Sequence, residues 1–254
     1  MKRAWLVVRA ATLWLLSGLH FFTLCPLLVL LGIFVDPRRN DWPQRALFRN
    51  VLRVAGVKFE VCRAPGFDPQ PTSFFIANHV NIFDAFVVYS AIPQFLRGLE
   101  LESHFRIPAY GWMMRRFGNI PVRKNPTAAQ TKELYRRTRA ALDDGVSLVV
   151  FPEGGRTLDG HVGEFKDGAF RMAVQFGYPV VPVAITGSFD FNRKGHWMIY
   201  PAKIVVYLGE QIETKDLTKQ DVGTLRDKVH RIVSDTVDAA IAASGRGREL
   251  DANG

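Results

Sequence analysis

The hydrophobic positions of the chain begin with one long run. From Ala10 to Val35 there is no acidic residue, lysine or arginine, and as one helix this segment would extend about 39 Å, enough to cross a bilayer. Pro26 interrupts the run, and we expect the helix to break or kink there. Basic residues stand on both sides, namely Lys2, Arg3 and Arg9 before the run and Arg38 and Arg39 after it. Because basic loops prefer the cytoplasm, we favour two helices that dip into one leaflet over a single span. A cleaved signal peptide is disfavoured, since no small-residue cleavage site follows.

The next segment, from Pro43 to Gly56, has the pattern of an amphipathic helix. Three arginines recur every four residues, and apolar side chains fill the opposite side. The arginines are Arg45, Arg49 and Arg53, and the apolar residues are Leu47, Phe48, Val51 and Leu52. A solvated face is the ordinary interpretation of such a row. The neighbouring apolar run leads us to expect that these arginines contact anionic lipid head groups.

The rest of the chain alternates short apolar strands with helices. The predicted strands are Val57 to Cys62, Ser73 to Ala77, Ile120 to Val122, Val146 to Phe151, Val180 to Thr186 and Lys203 to Leu208. The predicted helices are Ile82 to Ile92, Phe105 to Phe117, Pro126 to Asp144, Phe165 to Phe176 and Leu225 to Ala243. This order predicts an α/β fold with a mixed, mostly parallel sheet flanked by helices, preceded by a hydrophobic, membrane-associated helical segment.

Composition narrows the possible partners. The 254 residues suit one sizeable domain with a short appendage, and a net charge of +9 calls for an anionic partner. No recognition helix, zinc-ligand spacing or aromatic RNA-binding pattern supports nucleic acid, which leaves membrane lipids and phosphorylated small molecules. The two cysteines, Cys25 and Cys62, form neither a disulfide framework nor a metal site, as expected on a reducing cytosolic side.

The first candidate chemical group is a histidine five residues before an aspartate, where a predicted strand gives way to a helix. If His79 lies in the loop and Asp84 in the first helical turn, their side chains can meet, and Asp is favoured there by the helix dipole. A carboxylate-held imidazole can deprotonate a hydroxyl at neutral pH. The alternative is a histidine that merely caps the helix.

A second candidate group is the sequence Phe-Pro-Glu-Gly-Gly-Arg-Thr, which follows a predicted buried strand. Gly154 and Gly155 let the backbone approach a ligand, and Arg156 offers a fork for phosphate. An ordinary Gly-rich turn is the alternative. Further candidate anion contacts are Arg123 and Lys124 at the end of a short strand, and Lys166.

In this order and spacing, the segments around His79, Arg123, Glu153 and Val181 resemble the glycerophospholipid acyltransferase family over roughly residues 50–210. The resemblance implies a catalytic dyad, acceptor-phosphate binding and a shaped substrate pocket. It assigns His79 and Asp84 to the dyad, Arg123, Lys124 and Arg156 to the phosphate, and Glu153 and Gly154 to the shape of the pocket. We take Asn78, Gly155 and Lys166 as further candidate substrate contacts. The chain departs from the family where Gly155 replaces Thr or Ser and where Arg123 precedes Lys124, so the cation that meets the phosphate stays open.

The resemblance further implies an activity and an organisation. We expect transfer of a fatty acyl group from an acyl-CoA or acyl-carrier-protein thioester to the free hydroxyl of 1-acyl-glycerol-3-phosphate, giving phosphatidic acid, without a metal or other cofactor. Residues 1–40 would anchor the chain to the cytoplasmic face of the cell membrane, 41–245 would form the acyltransferase domain, and 246–254 a flexible tail. Three alternatives stay open: another lysophospholipid or lyso-ornithine acceptor, a thioester hydrolase, and a non-catalytic peripheral membrane protein.

Overall fold

The structure is a computed structural model that describes residues 2–37 and 41–244. The helices are α1 (Lys2–Phe34), α2 (Trp42–Val54), α3 (Asp84–Ala91), α4 (Tyr110–Arg116), α5 (Ala128–Asp143), α6 (Gly168–Phe176), α7 (Ser188–Phe191) and α8 (Val222–Ala243), with 3-10 turns at Glu102–Arg106 and Lys219–Asp221. The strands are β1 (Val57–Arg63), β2 (Phe74–Ala77), β3 (Leu96–Leu101), β4 (Ile120–Val122), β5 (Ser147–Val150), β6 (Val180–Thr186) and β7 (Ala202–Leu208). Arg38, Arg39 and the predicted tail 246–254 lie outside the described residues.

The seven strands form one sheet in the order β1-β7-β6-β2-β5-β3-β4. Every neighbouring pair is parallel except β6 and β7, which run antiparallel. The predicted mixed, mostly parallel sheet is therefore confirmed. The central strands β2, β5 and β3 run in the same direction, so their carboxyl ends open at one edge, where ligands of α/β sheets usually bind.

Helices cover both faces of the sheet and form two apolar layers. The alternation along β2 shows the division, since Phe75 and Ala77 pack with α1 to α4, whereas Phe74 and Ile76 pack with α5, α6 and α8. All four side chains are fully buried, and burial of a residue as large as Phe contributes about 2–3 kcal/mol. The core therefore fixes β2, and with it the start of the loop that follows, from both sides.

The first helix runs without interruption through Pro26, so the prediction of two helices broken there is wrong. One side of α1 docks on the domain through a buried stripe formed by Ala10, Ser17, Phe21, Cys25 and Leu28. Buried contacts stand on both sides of Pro26, and Cys25 Sγ lies 3.6 Å from Met113 Sδ of α4. A proline removes only one helical hydrogen bond, which this packing offsets. By length and composition, Ala4–Phe34 could cross a membrane.

Three other elements differ from the sequence prediction, one of them the short helix α7, which was not predicted. The strand β3 was not predicted, because Leu-Arg-Gly-Leu-Glu-Leu carries two charges and a glycine. The helix predicted from Phe105 to Phe117 is shorter, since Pro108 holds Ile107 in an extended conformation and Ala109 has a φ of 61° before α4 begins.

Candidate active site

The carboxyl end of β2 leads into the loop that carries the His–Asp pair. His79 lies in this loop and Asp84 is the first residue of α3, and His79 Nδ1 is 2.9 Å from Asp84 Oδ2. If Nδ1 carries the proton and donates it to Asp84, Nε2 has a free lone pair for a substrate proton. The His79 side chain is 23% exposed, whereas that of Asp84 is fully buried. The His79 imidazole therefore reaches the open site, whereas the Asp84 carboxylate that holds it is shielded from water.

Four donors surround the Asp84 carboxylate. Besides His79, the backbone N–H groups of Val80 and Asn81 donate to Oδ2 at 2.6 and 2.8 Å, and the Ser188 hydroxyl donates to Oδ1 at 2.7 Å. The two backbone bonds close the loop tightly around the carboxylate. Ser188 is only 1% exposed, so its hydroxyl is closed to solvent. It is therefore a support for Asp84 and no candidate nucleophile.

Two asparagines tie the same loop to the neighbouring strand β6 and to α7. The Asn78 amide donates to the Ile185 carbonyl at 3.0 Å and accepts from the Ile185 N–H at 2.7 Å. Asn81 donates to the Ser188 carbonyl at 2.8 Å. Both side chains are buried, and both ends of the Asn78 amide are used. The structure thus places Asn78, predicted in the substrate pocket, in the framework that positions His79.

The loop after β5 fixes His79 from the opposite side. The Glu153 carboxylate accepts the His79 backbone N–H at 2.6 Å and the Gly163 N–H at 3.0 Å. The imidazole also stacks on Phe151, with 4.4 Å between ring centroids. Burial raises the pKa of Glu153 to about 7, although the two backbone donors lower it. Glu153 is therefore a bridge between two loops.

The two glycines of this loop differ in what they permit. Gly154 has a φ of +70°, and a Cβ there would lie 2.6 Å from Lys166 Nζ, so the absence of a side chain lets Lys166 reach across. At Gly155, an added Cβ would meet nothing within 4 Å, and the backbone does not require glycine. The space that a Thr or Ser hydroxyl would occupy is therefore open. Lys194 Nζ donates to the carbonyl of Arg156 at 2.8 Å and steadies the loop.

The four cations predicted as anion contacts lie in two different parts of the structure. Arg123 pairs with Glu102 at 2.6 Å, both side chains being partly exposed, and Lys124 is exposed beside it. Arg156 follows β5, which is closer to β2 in the sheet than is β4. Arg156 and Lys166 are thus the predicted cations on the loop next to His79, while Arg123 and Lys124 follow the edge strand.

Sequence reasoning missed a second histidine–carboxylate pair at the same sheet edge. His104 Nδ1 lies 2.7 Å from Glu100 Oε1 at the carboxyl end of β3. This hydrogen bond raises the pKa of His104, while burial and the charge of Arg156 lower it. The only signal in the sequence was the spacing of four residues, and it had no weight because β3 was not predicted.

The three arginines predicted to contact lipid have different surroundings. Arg45 donates to the carbonyls of Tyr89 and Gln94 at 3.1 and 2.7 Å and also pairs with Asp41. Arg49 donates to the Ser90 carbonyl at 3.0 Å. Arg53 is exposed, and within residues 2–37 and 41–244 its side chain bonds only to Asn50, one turn back on its own helix. The structure therefore uses Arg45 to hold the end of α3, which does not fit a role in lipid contact.

The histidine–aspartate loop and the loop after β5 both lie in the part of the chain that resembles a known family. The family model described as Acyltransferase matches residues 63–186, which include both loops of the site in this chain. Its relatives include the 1-acyl-sn-glycerol-3-phosphate acyltransferase of Pseudomonas aeruginosa, 25% identical over 78% of this chain and 76% of that protein, and the human alpha enzyme of the same name, 26% identical over 80% and 71%.

The plant relatives are longer. The 1-acyl-sn-glycerol-3-phosphate acyltransferase of Limnanthes douglasii is 28% identical over 63% of this chain, which spans only 57% of the plant protein's length. Among solved structures, the 1-acyl-sn-glycerophosphate acyltransferase PlsC of Thermotoga maritima superposes with a TM-score of 0.75, covering 94% of this chain and 97% of that one at 21% identity. This likeness confirms the fold.

Proposed function

We propose that the chain transfers a fatty acyl group from an acyl thioester to the free hydroxyl of 1-acyl-glycerol-3-phosphate, giving phosphatidic acid. The observation that carries the proposal is the His79–Asp84 pair, held at the carboxyl end of β2 with the imidazole facing the site. The relatives named 1-acyl-sn-glycerol-3-phosphate acyltransferase support the choice of acceptor.

The reaction is a direct displacement on the thioester. The acceptor oxygen forms a bond to the carbonyl carbon while His79 Nε2 takes the hydroxyl proton, and Asp84 stabilises the imidazolium that results. The carbon–sulfur bond then breaks, and the thiolate takes the proton from the imidazolium. The proposed reaction forms no acyl-enzyme, and the Ser188 hydroxyl, which donates to Asp84, is too deeply buried to act as a nucleophile.

The acceptor phosphate needs cations close to the imidazole. Arg156 and Lys166 lie on or against the loop next to His79, and Arg156 can bind a phosphate through two parallel hydrogen bonds. Lys166 Nζ adds a point charge above Gly154. We assign the phosphate to this pair, with Arg123 and Lys124 farther out along the sheet.

The acceptor is a lipid, and α1 offers a route for it. The side of α1 away from the domain exposes Leu15, Leu19 and Leu30, each more than half exposed, which suits contact with acyl chains. On its docked side, Trp14 lies 5.6 Å from the ring of Phe83, the residue before Asp84. We propose that the lipid acceptor reaches the catalytic loop along α1, and that the chain acts at the membrane, on its cytoplasmic face.

The dyad is tested with purified protein in mixed micelles supplied with an acyl thioester and 1-acyl-glycerol-3-phosphate. Replacement of His79 by Ala should lower kcat about a hundredfold to ten-thousandfold, because the general base is lost. The matched control is His161→Ala, since His161 forms an exposed pair of the same type with Asp238 at 2.8 Å and should leave kcat unchanged. Full activity of the His79 variant would refute the assignment.

The acceptor is tested with one thioester and a panel of lyso-lipids. We expect the highest kcat/KM with 1-acyl-glycerol-3-phosphate and a loss for lyso-lipids without a terminal phosphate. Arg156→Ala should raise KM for the phosphate acceptor more than for the others. Free thiol released at the same rate without any acceptor would instead identify a hydrolase.

A further inference from the structure

A cavity outside the dyad loop lies along the edge of the sheet, where β4 is the last strand. Its volume is about 660 Å³, within the range of pockets that hold small molecules. The walls come from the 3-10 turn after β3, the end of α4, the beginning of β4 and the second half of α5. This is a concave site between several elements, and neither the dyad nor the acceptor contacts use it.

Among the charged residues that line the cavity, cations outnumber carboxylates. The lining contains four arginines and two carboxylates. The arginines are Arg106, Arg115, Arg136 and Arg137, and the carboxylates are Glu102 and Asp144. Two of the arginines, Arg136 and Arg137, share the single carboxylate of Glu133, each at 2.7 Å. Within residues 41–244, no carboxylate forms an ion pair with Arg106 or Arg115. The cavity therefore has guanidinium groups available for an anion with several negative charges.

The cavity faces away from the apolar helix α1. In α4, Met113 contacts α1 through Cys25, and Arg115 follows two residues later, a rotation of about 200° around the helix. Arg115 thus projects to the side opposite α1. A ligand of this cavity approaches from water and not along the lipid-facing helix.

The cavity is also within reach of the dyad. In the sheet, β5 and β3 separate β2 from β4, so the carboxyl end of β4 lies about 14 Å from that of β2, at three strand spacings. Glu102, which follows β3, lines the cavity at this edge of the sheet and pairs with Arg123 after β4. A ligand with an anionic end in the cavity needs an extended arm to bring a reactive group to His79.

We propose that this cavity binds the phosphorylated nucleotide end of a coenzyme A thioester, with Arg106 and Arg115 as phosphate contacts; the inference rests on the proposed acyl transfer. Such a donor is soluble, carries several phosphate charges at one end, and has a pantetheine arm that spans the distance to His79. Its nucleotide suits the cavity volume. A carrier protein would instead dock on a broad, flatter surface.

The kinetic test compares two double variants that remove the same charge. Arg106→Ala/Arg115→Ala should raise KM for acyl-CoA about tenfold or more, because two charge-assisted hydrogen bonds are lost, with kcat and the acceptor KM little changed. Arg139→Ala/Arg231→Ala, outside the cavity lining, is the control and should leave all three constants unchanged. With an acyl thioester of N-acetylcysteamine, which has no phosphate, both variants should match the wild type.

Direct binding separates this inference from the proposed activity. Calorimetry with 3′-phosphoadenosine 5′-diphosphate alone needs no catalysis, and we expect it to bind the wild type and the control and to bind the cavity variant at least tenfold more weakly. Binding without any acyl transfer would refute the proposed function but support the site. Equal binding by all three proteins, an equal loss with the phosphate-free thioester, or turnover of acyl-carrier protein alone would overturn the inference.

Discussion

Ser188 is the buried hydroxyl on which the orientation of Asp84 depends. The Ser188 hydroxyl donates to Asp84 Oδ1, whereas the other three donors bond to Oδ2. None of those three therefore takes the place of Ser188 when its hydroxyl is removed. Ser188→Ala should lower the free energy of unfolding by about 1–3 kcal/mol, because a fully buried carboxylate loses one partner. Thermal unfolding in detergent measures this change.

The control for Ser188 is Ser234→Ala, since Ser234 bonds only within α8. Since Ser234 is half-buried and its hydroxyl supports no buried charge, we expect this substitution to change stability by less than about 0.5 kcal/mol. Acyl transfer by the Ser188 variant should fall as well, because Asp84 then holds His79 in more than one orientation. Equal stability of the two serine variants would show that Ser188 does not support Asp84.

Glu153, which links two loops of the site, should make the stability of the fold depend on pH, and the direction of that dependence follows from its pKa. Burial raises the pKa of Glu153 to about 7, above the ordinary 4.5, so between these values the folded protein keeps a proton that the unfolded chain has released. Its contribution to stability is therefore complete below pH 4.5 and is lost as pH rises to 7, by at most about 3 kcal/mol. Glu153→Gln should remove this loss.

The measurement compares unfolding at pH 5 and pH 8 in both proteins. The drop from pH 5 to pH 8 should be larger in the wild type than in the glutamine variant, whatever their absolute stabilities. Glu164→Gln serves as the control, because Glu164 is an exposed acid near the same loop. Identical slopes for wild type and Glu153→Gln would contradict the assignment.

At the scale of elements, the packing of α2 against α3 directs Arg45, one of the residues predicted to contact lipid, into the protein. Arg45 binds carbonyls at the end of α3, where cations also complement the helix dipole. Arg45→Ala should destabilise the domain by about 2 kcal/mol, because these carbonyls lose a charged donor. Arg53→Ala, on the same helix but exposed, should cost less than about 0.5 kcal/mol. Similar losses for the two variants, measured by thermal unfolding, would contradict this account.

The sequence predicts the strands whose apolar character is uniform. Val180 to Thr186 is an entirely buried strand with the predicted bounds, because strands covered on both faces need continuous apolar residues. Strand β3 escapes prediction because its buried Arg97 lies over the rings of Phe95 and Phe117, an environment that only the tertiary structure supplies. Likewise, the break expected at Pro26 fails because docking, and not local propensity, decides the path of α1.

In the candidate site, too, the sequence predicts what local chain structure decides and misses what tertiary contacts decide. His79 and Asp84 are five residues apart, so a strand-loop-helix prediction is enough to bring them together. Ser188 and the Asn78 contact with Ile185 join positions more than a hundred residues apart, and they depend on β6 lying beside β2. Local chemistry is therefore predictable from the sequence, whereas its support is visible only in the fold.

At the scale of the whole molecule, the outer face of α1 should determine membrane attachment while contributing little to the stability of the domain. Leu15→Gln/Leu19→Gln/Leu30→Gln should abolish flotation with anionic vesicles, because the exposed apolar area is lost. Thermal unfolding in detergent should change little. The contrasting variant Phe21→Gln alters the docked stripe and should lower the unfolding temperature. Continued flotation of the triple variant would show that another surface binds the membrane.

The pairing of β1 with β7 sets a condition on how the protein is made. β1 lies at the edge of the sheet and its seven residues pair only with β7, from Val57 with Ala202 to Arg63 with Leu208. A ribosome takes roughly ten seconds or more to synthesise the intervening chain, and β1 has no strand partner during that time. The apolar helix α1 precedes every strand of this sheet in the chain, so we expect it to meet the bilayer first and the sheet to assemble afterwards at the membrane surface.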